Sequence, residues 1–140
     1  MNWQELAGNS HYETAIAVHQ ALESGNFQEA DYGIRELIEA LSRSERRALR
    51  SQLIRLMMHI IKWKSQSERR SRSWVASIYN ARREIRDIQK ETPSLNKQVI
   101  SEMWDDCLNA AILDAEGEMN KLSEVSALSL TDVFEAEYKI

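Results

Sequence analysis

In a sequence of 140 residues, the side chains that could do more than pack are three histidines, one cysteine and a run of arginines. Arg55 and His59 lie four apart, a spacing that puts both on one side of a helix. There a guanidinium can steady a phosphate while an imidazole moves a proton, the minimum for metal-independent phosphodiester cleavage. Ser73 adds a hydroxyl that a turn after residue 63 could carry back toward His59,. Each has a plainer role. His59 falls on the border between an apolar and a polar face, where a histidine is more often packed and hydrogen-bonded than catalytic. Serines at a joint commonly cap helices. No metal site is expected, because His11, His19 and His59 lie apart and neither Glu-x-x-His nor His-x-x-x-His occurs,. The lone Cys107 excludes an internal disulfide and a cysteine cluster,. No glycine-rich phosphate turn precedes a helix, so no cofactor is expected,.

The binding candidates are Lys62, Arg69, Arg70, Arg72, Arg82, Arg83 and Arg86, since the planar guanidinium holds phosphate or carboxylate bidentately. They belong to a strongly uneven charge pattern. Residues 43–90 hold fourteen Lys and Arg against four acids; residues 1–42 hold one against seven, and residues 91–140 three against eleven. The bland reading folds the acidic flanks back on the basic middle, within the chain or across a dimer. The sharper one gives the middle an acidic partner or a nucleic acid. A net charge of −4 is far from the balance of a dedicated nucleic-acid domain, which favours the bland reading.

The elements that must position these residues are helices. Only four Gly and one Pro interrupt the chain, and no period-2 run stands out. Leu49, Leu53, Ile54, Leu56, Met57, Met58, Ile60, Ile61 and Trp63 fill an arc of about 220°, too wide for a surface helix, so this stretch is expected to be packed on two or more sides,. Ser42-Arg-Ser-Glu45 reads as the capping box that starts it,. The helix is expected to end near Lys64–Ser67, with Ser67 capping the next. That next helix carries Trp74, Ile78, Ala81, Ile85 and Ile88 as one narrow seam,. The result is a helical hairpin, about 45–65 and 68–91. Upstream, Ser10 caps a helix that buries Tyr12, Ile16 and Leu22 and ends at Gly25. Another, from about residue 28, turns Ile34, Leu37, Ile38 and Leu41 inward past a weakening Gly33,. Downstream, Thr92-Pro93 reads as a cap plus first helical position for a helix through Val99, Met103, Trp104, Cys107 and Ala111,. Ser129, with Asp132 three positions on, starts a short last helix through Tyr138,.

The run His59-Ile-Ile-Lys-Trp63, Gln66, Arg69-Arg-Ser-Arg-Ser-Trp74, Ile78, Arg82-Arg-Glu-Ile85 and Thr92-Pro-Ser-Leu95 resembles the domain of unknown function 29 family, small bacterial proteins abundant in cyanobacteria. The resemblance extends from about Tyr12 to Glu118. Ser67 stands where that family tends to have Pro, and Ala81 where it tends to have Gln. It implies an all-helical fold and brings no activity, cofactor or catalytic residue. Arg55 and His59 are also similar in kind to the Arg–His pair of small helical ribonucleases, with a shorter interval here.

The expected fold is all-α: a single-domain bundle over residues 1–140, about five main helices plus a short C-terminal one, with residues 1–9 a docked or flexible arm. Trp63, Trp74, Ile78, Ile85 and Trp104 are expected to be its structural core. The expected function is non-catalytic protein interaction, self-association included, through the basic hairpin and acidic surfaces. The alternatives are weak nucleic-acid binding and metal-independent ribonuclease chemistry. Without an apolar span or a basic-then-apolar leader, the expected location is the cytoplasm, away from membranes,.

Overall fold

The computed structural model describes residues 1–140. It is all-helical: α1 (Trp3–Asn9), α2 (His11–Glu23), α3 (Phe27–Ser65), α4 (Arg72–Glu91) and α5 (Lys97–Met119), with a 3₁₀ turn at Ser67–Arg69 and a π turn at Thr131–Glu135. No helix is long and apolar enough to cross a membrane. The chain divides into two compact units, Met1–Arg47 and Ala48–Ile140, and α3 contributes residues to both.

The first unit is built on small residues. Asn2 and Ser10 cap α1 and α2 by accepting the amide protons of Glu5 and Glu13. Gly25, at φ +74°, makes the left-handed turn that a side chain would disfavour,. The buried positions are Trp3 and Ala7 on α1, Thr14 and Val18 on α2, and Ala30, Gly33, Leu37 and Ala40 on α3. Trp3 donates its indole N–H to Glu29 at 2.7 Å. A Cβ on Gly33 would stand 2.7 Å from the Trp3 ring and from Val18, so this glycine is where the indole seats. Leu37 is buried as expected, but the rest of the expected inward face is overturned. Tyr12, Ile16 and Leu22 on α2, and Ile34, Ile38 and Leu41 on α3, are exposed. The small residues of α3 lie on an adjacent face, and close helix approach there leaves the bulky ones outside.

The second expectation to fail is the break before the central helix. Ser42 to Glu45 stay helical, and α3 runs unbroken for 39 residues. A capping box starts a helix only where the backbone before it lies outside helical geometry. Here Arg, Glu and Ala follow without Gly or Pro, and propagation outweighs the weak serine preference for caps. Ser67 opens only the 3₁₀ turn; Ser71 caps α4, accepting from the Trp74 amide at 3.2 Å. Thr92 terminates α4, and Asn96 rather than Thr92 caps α5, accepting from the Gln98 and Val99 amides at 3.0 and 3.2 Å.

The second unit holds the main core. Leu49, Leu53, Leu56, Met57, Ile60 and Ile61 of α3 are fully buried and span roughly 140° of the helix circumference, about two fifths of it. Ile78, Ala81 and Ile85 of α4 meet them, as do Met103, Cys107, Ala111 and Ala115 of α5. Trp63 is buried; Trp74 and Trp104 are half-buried against the same cluster. The expected last helix is a single π turn. Ser129 and Asp132 cap each other reciprocally, amide to side chain, at 2.9 and 3.0 Å, but Tyr138 lies beyond the turn and is buried outside any helix.

Candidate functional site

The second unit has two places where polar chemistry gathers, and both start from helix spacing. On α3, His59 and Lys62 share a side. The His59 Nδ1 stands 2.9 Å from the Arg55 carbonyl, so in the neutral ring Nδ1 carries the proton and donates it there, leaving Nε2 unprotonated. Burial, with the Lys62 charge acting in the same direction, lowers the His59 pKa from its ordinary value. Lys62 is largely buried; its ammonium lies 3.6 Å from Glu118 and 4.9 Å from the centre of the Trp74 ring. Ser73 is exposed and makes no hydrogen bond in this group, and the Arg55 side chain is exposed. His59 and Lys62 therefore come together, with the Arg55 charge near enough to act on His59, while Ser73 makes no hydrogen bond to either.

Arg82 faces elsewhere. It is 5% exposed, so most of its side chain is taken up by contacts inside the unit. Its Nε donates to the Val133 carbonyl at 2.8 Å and its terminal nitrogen to the Asp132 carbonyl at 3.3 Å. The guanidinium also lies 5.3 Å from the ring centres of both Tyr79 and Tyr138. Tyr138 donates its hydroxyl to the Asp132 carbonyl at 2.6 Å, and its amide to the Tyr79 hydroxyl at 3.0 Å. Arg82 thus fastens the C-terminal segment to α4. Arg70, though exposed, also makes contacts within the unit, stacked 4.6 Å over Trp63 and donating to the Trp63 carbonyl at 3.0 Å. Arg69, Arg72, Arg83 and Arg86 remain exposed, with Arg83 donating to Asn80 at 2.9 Å.

Because Arg82 draws the C-terminal segment over α4 and α5, a cleft of about 740 Å³ opens beside it. From α4 it takes Arg82, Ile85, Arg86 and Gln89, which recur along one face,. From α5 come Lys97, Ser101 and Trp104 at intervals of four and three, with Gln98 and Ile100 beside them. Leu128, Leu130, Phe134 and Glu135 close the third side. Trp104 and Phe134 make the aromatic wall, with ring centres 6.4 Å apart and planes tilted by 51°. The sequence alone points to Trp104 as core and passes over Lys97, Gln98, Leu128 and Phe134. Spacing gave no signal for this return, because Leu130, Val133, Phe134 and Tyr138 recur at helical intervals,.

No three His, Cys, Asp or Glu side chains are gathered so as to hold a metal ion. Cys107 is buried and burial raises its thiol pKa, so it stays protonated,. No curated protein and no solved structure matches the chain. A family profile does, over residues 11–139, and the chain belongs to that family, described as Domain of unknown function DUF29.

Proposed function

We propose that the chain is a non-catalytic protein-interaction module that pairs with a second copy of itself through the first half of α3. The observation that carries this reading is the outward apolar stripe of Phe27, Ile34, Ile38 and Leu41, of which Phe27 is 68% and Ile38 60% exposed. These four fall within about 60° of one another around the helix, and contiguous exposed apolar surface of this kind marks an interaction face.

A two-fold pairing of antiparallel helices suits the stripe. Centred between Glu36 and Leu37, it interleaves Ile34, Ile38 and Leu41 with the same residues of the second copy,. On the flank it sets Asp31 opposite Ser42 of the second copy, and Gln28 opposite Glu45. Each is a donor against a carboxylate, and no like charges face each other. The basic hairpin supports the pairing less, since Arg70 and Arg82 are engaged inside the unit.

The test is molar mass by light scattering at low and high salt. Apolar pairing predicts a dimer that persists in molar salt, and a monomer for Ile34→Asp/Ile38→Asp with unchanged helical circular dichroism. A wild-type monomer at high micromolar concentration, or a dimer that survives the double substitution, overturns the reading.

A further inference from the structure

We infer that the cleft between α4, α5 and the C-terminal segment is a binding site for a small amphipathic organic anion, an apolar acyl or aromatic body bearing one carboxylate or comparable head group. The site is separate from the face proposed for self-pairing, and the inference stands without it.

The cleft's two halves differ in chemistry. Its floor is apolar: Ile85, Ile100 and Leu128 are buried beneath it, and Trp104 and Phe134 are half-buried in its wall. Leu130, 63% exposed, stands at its edge. Water against such a surface is displaced favourably by an apolar body. Its rim is cationic. Arg86 and Lys97 are exposed, and neither makes an ion pair or side-chain hydrogen bond within a chain that carries 22 acids. Arg86 also sits close enough to Arg82 for the two charges to repel. Two cations without an ion-pair partner beside an apolar floor suit an anionic group carried on an apolar body. An arginine fork holds a carboxylate bidentately, and a lysine ammonium adds a point charge.

The lining also narrows the class. Glu135 stands on the same rim, so the site repels a second negative charge at that end and disfavours a polyanion such as a nucleic-acid strand. A volume near 740 Å³ is the size of a small-molecule pocket. Gln89, Gln98 and Ser101 supply neutral donors and acceptors around the head group.

The experiment uses the full chain and 1-anilinonaphthalene-8-sulfonate as a fluorescent probe, displaced by dodecanoate, 1-naphthoate or dodecanol. The expected result is one saturable site, weakened about tenfold or more in Arg86→Ala/Lys97→Ala. Removing the same charge elsewhere, in Arg69→Ala/Arg72→Ala, leaves the affinity unchanged, as does Ile34→Asp/Ile38→Asp. Displacement by dodecanoate identifies an acyl ligand, and displacement by naphthoate an aromatic one. The inference is overturned if no saturable binding occurs, if neither anion displaces the probe, or if dodecanol displaces it as well as dodecanoate. It is also overturned if Arg86→Ala/Lys97→Ala binds normally, or if the signal disappears with the α3 stripe. Thermal unfolding of each variant, monitored by circular dichroism, confirms that the folded protein is being compared.

Discussion

Replacing Arg82 by methionine keeps the apolar stem of the side chain and removes the guanidinium, so it isolates what that group does. Two hydrogen bonds to the carbonyls of Val133 and Asp132 are lost, and charge-assisted bonds of this kind contribute about 1.5–3 kcal/mol each. Stacking between Tyr79 and Tyr138 adds about 1 kcal/mol. Against this, desolvating a cation is costly, and methionine recovers that cost. The Val133 carbonyl, however, stays buried without its donor, and an orphaned acceptor costs about 1–3 kcal/mol. The balance predicts a loss of roughly 3–5 kcal/mol in unfolding free energy, a large part of what a domain of this size has. Urea unfolding followed by circular dichroism measures it, with limited proteolysis reporting whether residues 129–138 detach first. Arg83→Met, on the exposed side of α4, is the control and shifts stability by no more than about 0.5 kcal/mol. An Arg82→Met protein within about 1 kcal/mol of wild type, with its C-terminal segment still protected, would refute the reasoning.

Two other perturbations follow from the geometry. Gly33→Ala places a methyl group against the Trp3 ring and Val18; overpacking there costs about 1–3 kcal/mol, read as a lower melting temperature together with a Trp3 emission shift toward that of exposed indole. Asp132 accepts the Ser129 amide first and the Lys64 ammonium second, which lowers its pKa from an ordinary 3.8. A depressed carboxyl stabilises the fold fully above that ordinary value and loses its contribution as pH falls through the lower folded one. Protease protection of residues 129–138 is therefore expected to fall in the acid range below pH 3.8, and Asp132→Asn is expected to remove that dependence.

The sequence was most legible where one helix face is bulky and the other polar. The seam of α4 and the wide arc of α3 after Leu49 are buried or half-buried as their spacing implies, because large apolar side chains have no alternative to the core. In the first unit the rule fails. Ala30, Gly33 and Ala40 go inside and Ile34, Ile38 and Leu41 stay out, since a close approach governed by Trp3 and small residues is invisible to hydrophobic period. The joints were half legible. Serine marks a cap without saying which serine, and the 3₁₀ turn moved the cap from Ser67 to Ser71. Among the candidate site residues, the type of each arginine gave no hint of its use. Arg82 and Arg83 are neighbours on α4, and one is buried against the C-terminal segment while the other faces solvent. The cleft depends on a segment more than forty residues downstream, and its Lys97 and Phe134 are brought together only by that return.

The claim on which the account rests is that α3 pairs with itself through its outward stripe. An equimolar mixture of Asp31→Cys and Ser42→Cys proteins, treated with a short bismaleimide, reports face, partner and direction together, while the buried, protonated Cys107 stays silent. Antiparallel pairing predicts a covalent dimer in the mixture and little in either variant alone. No covalent dimer, or equal cross-linking of Asp31→Cys with itself, would contradict it.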